Sequence, residues 1–194
     1  MLIWINGAFG AGKTQTAYEL QRRLPGSFVY DPENAGSFLQ KSIPQSVHLD
    51  DFQDYPMWRS FNFDILNYCL RHYSGPVIVP MTVTDRQYYN EMIGALSKEF
   101  EVRHIILHAK KETILRRLAS RLETPHSWAA QQIDRCIKAF DGDIAGYRID
   151  TDDMNIYQVV EKIASAAGVV LSEDYRSTFR KSFDSIITKF RYIR

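Results

Sequence analysis

Eight residues near the start of the chain, Gly7-Ala8-Phe9-Gly10-Ala11-Gly12-Lys13-Thr14, have types and spacing suited to one kind of chemistry. They fit G-x-x-x-x-G-K-[ST], the P-loop pattern. Glycines let backbone N–H groups converge on phosphate oxygens, and the N-terminus of a following helix adds a positive field. In this pattern Lys13 reaches the β- and γ-phosphates and the Thr14 hydroxyl binds Mg²⁺. The loop therefore predicts a site for ATP with Mg²⁺.

The flanking elements favour this interpretation over a chance glycine-rich turn. An apolar strand is predicted over 2–6 and a helix over 13–23. Further strands are predicted at 28–30, 77–79, 102–107 and about 147–149. Helices are predicted at 33–41, 56–73, 85–99, 111–122, 128–140, 155–167 and 172–193. This alternation predicts an α/β protein: a three-layer P-loop NTPase fold whose five-stranded parallel sheet has the nucleoside-kinase-like order 2-3-1-4-5.

A carboxylate follows the second predicted strand, at the sheet edge where ligands bind in such folds. Asp31 precedes Pro32, which favours an extended backbone and directs the side chain off that edge. A kinase uses a carboxylate there to accept the proton of the attacking hydroxyl, or to hold Mg²⁺ through water. We therefore expect Asp31 to be the catalytic base, with Glu33 as its rival and a turn-forming Asp-Pro as the structural alternative.

Three arginines flank a break in the helical pattern at 123–126. Arg117 and Arg121 are four residues apart, so they share one helical face, and Arg135 lies on the helix after the break. Two arginine-bearing helices around a short loop are typical of a kinase lid that neutralises the transferring phosphoryl group. The alternative is a solvated basic face.

The third predicted strand lacks the aspartate that P-loop ATPases place at its end. It reads Val77-Ile78-Val79-Pro80-Met81-Thr82. Mg²⁺ would then depend on Thr14 and water, with Asp31 or Asp85 farther out. This departure argues against a motor-type ATPase and suits a small-molecule kinase. His104 and His108, about 13 Å apart on a strand, predict no metal site.

Composition excludes several classes of protein. The 194 residues are 45% hydrophobic and 24% charged, as in an ordinary globular chain, and the net charge of +1 argues against a general nucleic-acid binder. Cys69 and Cys136 lie in helical apolar patterns and predict reduced cysteines of a cytoplasmic protein. No apolar stretch approaches the ~18–20 residues of a transmembrane span, and no signal peptide is evident.

The predicted kinase-like domain covers 1–171, with an acceptor-binding insertion at about 32–74 and a lid at about 117–135. Aromatic side chains are dense in the insertion, which suits either a core or a bulky, lipophilic acceptor. Residues 172–194 predict an amphipathic helix with six basic and three acidic residues. Such a helix either closes the domain or lies on the anionic inner face of the cell membrane.

Longer stretches of the sequence closely resemble the tunicamycin-resistance (TmrB) family. They are residues 3–16, Val29-Tyr30-Asp31-Pro32-Glu33, Val79-Pro80-Met81-Thr82 and residues 127–136. The resemblance spans nearly the whole chain. It implies an ATP-binding protein that protects the cell from a lipophilic nucleoside antibiotic, with an amphipathic C-terminus in loose contact with the membrane.

Residues 114–121 also look like the helix that precedes the lid of adenylate kinases. That resemblance implies that Arg117 stacks near adenine, Arg121 contacts phosphate and Arg135 acts from beyond the lid. It also implies that Thr151 and Asp152 lie near the base. The acceptor region does not look like that of adenylate kinases.

Three functions remain open at this point. The first is phosphorylation of a hydroxyl on tunicamycin or a related small molecule, with Lys13, Asp31, Arg117, Arg121 and Arg135 as catalytic residues. The second is ATP-dependent sequestration of the drug without covalent chemistry, and the third is a metabolite kinase.

Overall fold

The computed structural model describes residues 1–124 and 126–192, with side chains up to residue 189. Pro125 of the predicted lid, residues 193–194 and the side chains of Phe190 and Arg191 lie outside the described residues. The strands are β1 (Leu2–Gly7), β2 (Phe28–Val29), β3 (Val77–Pro80), β4 (Val102–His108) and β5 (Tyr147–Asp150). They form a five-stranded, all-parallel sheet in the order β2-β3-β1-β4-β5, so the predicted fold class and strand order are confirmed.

Helices cover both faces of this sheet. They are α1 (Lys13–Arg23), α2 (Glu33–Ser42), α3 (Pro56–His72), α4 (Arg86–Tyr89), α5 (Lys111–Ala119), α6 (Trp128–Gln131), α7 (Ile133–Asp141), α8 (Ile156–Ala167) and α9 (Thr178–Tyr192). Short 3-10 turns at Gln45–Val47 and Phe52–Asp54 connect α2 to α3. In the described part of the chain, no helix is both long and apolar enough to cross a membrane.

The core divides according to the alternation of side chains along β1. Ile3 and Ile5 pack with α1 and α8 on one face. Trp4 packs with Trp58 of α3 and with α4 on the other. Because β1 is buried along its whole length, it holds the loop that follows it in a fixed position.

Three helix predictions need correction. The helix expected over 128–140 is two helices, because the chain turns at Gln132. The helix expected over 85–99 is the short α4 followed by a π-helical turn at Asn90–Gly94. The C-terminal helix begins at Thr178 rather than 172, because Asp174 and Arg176 pair with each other in the non-helical segment before it.

Candidate functional site

The loop between β1 and α1 adopts a conformation that requires glycine. Gly7, Gly10 and Gly12 have φ angles of +144°, +85° and +98°, which side chains strongly disfavour. At Gly7 a Cβ would also lie 2.6 Å from the backbone oxygen of Leu107. The loop can therefore run close to β4 and enter α1 directly at Lys13, which leaves the first N–H groups of the helix beside the loop.

A buried asparagine anchors this loop, and sequence reasoning missed it. The Oδ1 atom of Asn6 accepts hydrogen bonds from the N–H groups of Gly7 and Val83, both at 2.9 Å. Its Nδ2 atom donates to the Val83 oxygen at 3.0 Å. Thr82 adds a hydrogen bond from its hydroxyl to the Gly7 oxygen at 2.8 Å. These bonds tie the end of β1 to the segment after β3 and fix the start of the loop.

Lys13 lies buried over the loop. Its Nζ atom donates a hydrogen bond to the Ala8 oxygen at 3.0 Å and lies 5.3 Å from the centre of the Phe9 ring. Burial lowers the pKa of Lys13 to about 8, and Glu33 is the nearby charge that most opposes this shift. The sequence therefore places a partly desolvated ammonium group beside a carboxylate of α2.

A cavity of about 710 Å³ opens over the loop. One wall carries Phe9, Gly10, Gly12, Lys13 and Thr14, together with Leu118, Ser120, Arg121, Leu122, Glu123, Trp128 and Ala129. The insertion wall of the lining consists of Glu33 and Ser37 of α2 with Asp51, Phe52 and Gln53. Lys189 of α9 completes the lining. The donor loop, the lid and the insertion thus face one space.

The structure separates the two carboxylates proposed as base. Asp31 is buried after β2, and its Oδ1 atom accepts the backbone N–H of Glu33 at 3.0 Å, an arrangement that supports the first turn of α2. Glu33 lines the cavity itself and interacts electrostatically with Lys13. Asp31 also interacts electrostatically with Lys13, but only Glu33 lines the cavity, and the role of Asp31 as base stays a prediction.

The predicted arginines have three different environments. Arg117 donates to the Ala11 oxygen at 3.3 Å, and to the hydroxyl and backbone oxygens of Thr151 at 3.1 and 2.6 Å. Arg117 therefore clamps the loop to the segment after β5. Arg121 lines the cavity, and burial lowers the pKa of both guanidinium groups. Arg135 pairs with the insertion, with its Nη2 atom 3.6 Å from Oδ2 of Asp51.

Asp152, which was expected near the base of the nucleotide, stabilises the start of α5. Its carboxylate accepts the N–H of Lys110 at 3.1 Å, and a hydrogen bond from Thr113 holds its pKa below the usual value. Thr151, its neighbour, is buried and hydrogen-bonds to the His108 oxygen at 3.0 Å. Together these contacts bring the segment after β5 to the edge of the phosphate loop.

Comparisons with known proteins agree with this geometry. A family model described as an AAA domain matches residues 2–142. The structure of the Deinococcus radiodurans tunicamycin resistance protein is 37% identical, with a TM-score of 0.76, over 89% of this chain and 98% of that one. The chain belongs to the tunicamycin-resistance protein family. The resemblance predicted from the sequence is thereby confirmed.

More distant structures share the fold of this family member. A gluconokinase from Sinorhizobium meliloti 1021 has a TM-score of 0.61 at 15% identity, covering 86% of this chain and 90% of that one. The Mycobacterium tuberculosis APS kinase CysC, in complex with AMPPNP and APS, has a TM-score of 0.58 at 13% identity, covering 86% and 96%. No curated protein matches the sequence. The fold is that of P-loop kinases and implies nucleotide binding.

The donor set of this tunicamycin-resistance family member suits Mg²⁺. Thr14 lines the cavity with the carboxylates of Glu33 and Asp51. Mg²⁺ keeps several waters and binds substrate phosphates with only one or two protein oxygens, so a single hydroxyl with nearby carboxylates fits. Asp85 instead accepts the N–H of Tyr88 at 3.0 Å and caps α4. Within the described residues, no cluster of three His, Cys, Asp or Glu side chains forms a separate metal site.

The insertion contributes a functional candidate that sequence reasoning passed over as one acidic residue of a loop. Asp51 is 8% exposed and accepts the N–H of Gln53 at 3.0 Å, which caps the turn Phe52–Asp54. Burial raises its pKa, an effect that Arg135 opposes. A signal was present, because an Asp followed two residues later by Gln amid aromatic residues is typical of a capped turn. The pairing of Asp51 with Arg135 of α7 could not be foreseen from the sequence.

An aromatic contact connects the lid with the loop. Trp128, the first residue of α6, packs edge-on against Phe9 with ring centres 4.8 Å apart. Leu122, on the same side of the cavity, is almost fully exposed and has a φ of +63°, which is unusual for leucine. An apolar side chain held in water at the cavity mouth provides surface for a ligand.

Proposed function

We propose that this protein transfers the γ-phosphoryl group of ATP to a hydroxyl of a neutral small molecule, tunicamycin or a related compound. The observation that carries this proposal is that Lys13 and Thr14 line the same cavity as Glu33 and Asp51. A donor loop opposite a wall of carboxylates is the arrangement that phosphoryl transfer to a hydroxyl requires.

On the donor side, Lys13 contacts the β- and γ-phosphates and Arg121 stabilises charge on the transferring group. Arg117 holds the loop and the segment beside the nucleotide base in place, as its bonds to Ala11 and Thr151 indicate. The Thr14 hydroxyl would hold Mg²⁺, which would supply charge neutralisation at the phosphates. Lys13 must leave the Ala8 oxygen to reach a phosphate, and the negative charge of that phosphate would raise the lowered pKa of the lysine and favour its ammonium form.

On the acceptor side, Glu33 accepts the proton of the attacking hydroxyl. The hydroxyl oxygen forms a bond to the γ-phosphorus while the bond from that phosphorus to the β–γ bridging oxygen breaks, releasing ADP. Asp31 orients Glu33 through the hydrogen bond to its backbone. The alternative is that Asp31 itself takes the proton, as we expected from the sequence.

The charges of the cavity favour a neutral acceptor. Its insertion wall carries Glu33 and Asp51, and the cation nearest to that wall, Arg135, already pairs with Asp51. A carboxylate or phosphate acceptor would meet these acids, while the lining cations Lys13 and Arg121 are taken up by the nucleotide phosphates. Hydroxyl groups instead donate to carboxylates, and the rings of Phe52 and Trp128 offer apolar surface.

The test is to incubate the protein with MgATP and tunicamycin and to measure the mass of the drug. A gain of one phosphoryl group, with stoichiometric ADP, supports transfer. Shikimate, gluconate and AMP are the anionic controls and should give no product. If the drug binds but its mass never changes, the protein sequesters the drug; if only an anion is phosphorylated, it is a metabolite kinase.

Two isosteric variants separate the candidate bases. We expect Glu33→Gln to lower kcat by about 10²- to 10⁴-fold with an unchanged Kd for MgATP, as loss of a general base does. Asp31→Asn keeps an oxygen that can accept the Glu33 N–H, so we expect a much smaller loss. The reverse order of effects would assign the base to Asp31.

We also propose that α9 contacts an anionic membrane surface. Phe179 is 83% exposed, and Phe183 and Ile186 are about half exposed on the same helix, next to the exposed cation Arg180. Co-sedimentation with phosphatidylglycerol vesicles, but not with phosphatidylcholine vesicles, would support this contact. Phe179→Ser with Phe183→Ser should abolish it, and equal sedimentation of that variant would refute it.

A further inference from the structure

Helix α9 packs on the domain by its polar side. Asp184 and Thr188 are buried, whereas Phe179 and Phe183 are exposed. The polar side of α9 faces the domain because the outer side of α1, on which α9 packs, presents Arg22. This guanidinium donates to the Thr188 hydroxyl at 2.6 Å and to the Asp184 backbone oxygen at 3.3 Å. The helix is thus held in a defined rotation by directional bonds.

A cluster of charges fixes the start of the same helix. Arg176 pairs with Glu19 of α1, with Asp174 at 2.8 Å and with Asp184 at 3.0 Å. These partnerships raise the pKa of Arg176 above its usual value and lower that of Asp174. Because the three carboxylates are nearly buried, the cluster sets the position of α9 along α1 as well as its rotation.

The docked helix extends to the phosphate loop. Gln15, in the first turn of α1, donates to the Ser185 oxygen at 3.1 Å. Ser185 and Lys189 are four residues apart, so they lie on one face of α9. Lys189 lines the same cavity as Gly12, Lys13 and Thr14, with its side chain exposed to solvent. Lys189 has no ion pair among the residues whose side chains are described.

We infer that Lys189 binds the phosphate chain of the nucleotide, so that α9 forms one wall of the donor site. This inference rests on the proposed function for its donor, ATP. A triphosphate brings several negative charges to the loop, and a free ammonium on the wall beside Thr14 is a suitable partner for them. The C-terminal helix then contributes a cation to the reaction site in addition to Lys13 and Arg121.

A coupling follows from this assignment. If Lys189 contacts the phosphates only while α9 is docked on α1, nucleotide binding favours the docked helix and docking favours the nucleotide by the same factor. Anything that draws α9 away from α1 would weaken ATP binding. Nucleotide binding would therefore affect the position of α9 and of its exposed apolar side.

The test is calorimetric binding of MgATP, MgADP and adenosine to the wild type and to Lys189→Gln, Lys189→Arg and Lys162→Gln. Lys162, exposed on α8, gives the same change in charge away from the cavity. We expect Lys189→Gln to weaken MgATP about five- to tenfold, the loss of one exposed charge-assisted contact. Lys189→Arg should restore most of the affinity, and adenosine should bind all four proteins equally.

A second measurement checks the coupling. MgATP should slow amide hydrogen exchange over residues 178–189 in the wild type and much less in Lys189→Gln. Equal MgATP affinity in Lys189→Gln and the wild type, or an equal loss of adenosine binding, would overturn the inference. The proposed function fails separately, if the wild type binds MgATP and no acceptor is phosphorylated. A wild type that binds no nucleotide would refute both.

Discussion

The lowered pKa of Lys13 gives the most quantitative test of the donor site. Burial holds this pKa at about 8 instead of 10.5. At pH 8 the ammonium is therefore about half protonated. A bound polyphosphate favours the charged form and returns the pKa to its usual value or above. Binding of MgATP should therefore take up a proton at this lysine.

The size of the uptake follows from the two pKa values. We expect about 0.5 proton per site at pH 8, about 0.9 at pH 9 and nearly none at pH 6.5, where the lysine is already charged. Calorimetric titrations at one pH, in buffers with different ionisation enthalpies, measure this number as a slope. The terminal phosphate of ATP contributes little, because its pKa of about 6 lies well below this range.

Lys13→Met is the matched control, since it removes the titrating group and keeps much of the buried volume. Its binding to MgATP will be weak, and whatever binding remains should show no proton uptake at pH 8. A slope near zero in the wild type at pH 8 and 9 would refute the reasoning. So would an equal slope in the methionine variant.

The same lysine affects folding, and the sign of its effect is defined. Because the folded pKa lies below the unfolded one, the unfolded chain binds more protons between pH 8 and 10.5, and stability rises with pH across that window. Below about pH 8 the cost of the lowered pKa to folding is complete, roughly 3 to 4 kcal/mol. Lys13→Met should therefore be more stable than the wild type at pH 7, and urea unfolding at pH 7 and 9.5 would show the difference shrinking.

Three further predictions address the scaffold of the site. Gly7→Ala should lose at least about 2 kcal/mol in urea unfolding, because φ is +144° and the new Cβ meets the Leu107 oxygen. Arg176→Ala removes the cation shared by Glu19, Asp174 and Asp184, which keep Arg22, Lys181 and Arg180 respectively, and should cost about 2 kcal/mol, against less than about 1 kcal/mol for Arg180→Ala. Thermal unfolding of Arg176→Ala and Arg180→Ala measures the two losses of stability. Asn155→Ala removes the capping box of α8 and should lower stability by about 1 kcal/mol in the same assay.

The sheet and the phosphate loop could be predicted because their signals are local. An almost wholly apolar run such as 2–6 is typical of a strand buried on both faces, and the glycine spacing after it is typical of a phosphate-binding loop. Parallel strands joined by helices then bring the loop, Asp31 and Thr151 to a common edge. That much of the candidate site follows from residue order alone.

The insertion wall of the cavity could not be predicted in this way, because it depends on contacts between distant segments. Asp51 meets Arg135 across 84 positions of sequence, and neither residue has a local pattern that points to the other. The break in the helical pattern at Gln132 likewise depends on contacts between distant segments. Residues 128–140 carry a continuous helical pattern, and packing of the short α6 against the loop accompanies the division of the helix.

Helix α9 shows why an amphipathic pattern alone does not determine which side of a helix is buried. The apolar residues of α1 are used against the sheet, so its outer side offers Glu19 and Arg22. A helix that docks there must present hydrogen-bonding groups, and the apolar side of α9 is left outward. The two alternatives left open by the sequence, packing on the domain and lying on a membrane, are therefore compatible. An interface made of ion pairs is also sensitive to salt and to nearby anions, as the proposed coupling between α9 docking and nucleotide binding would require.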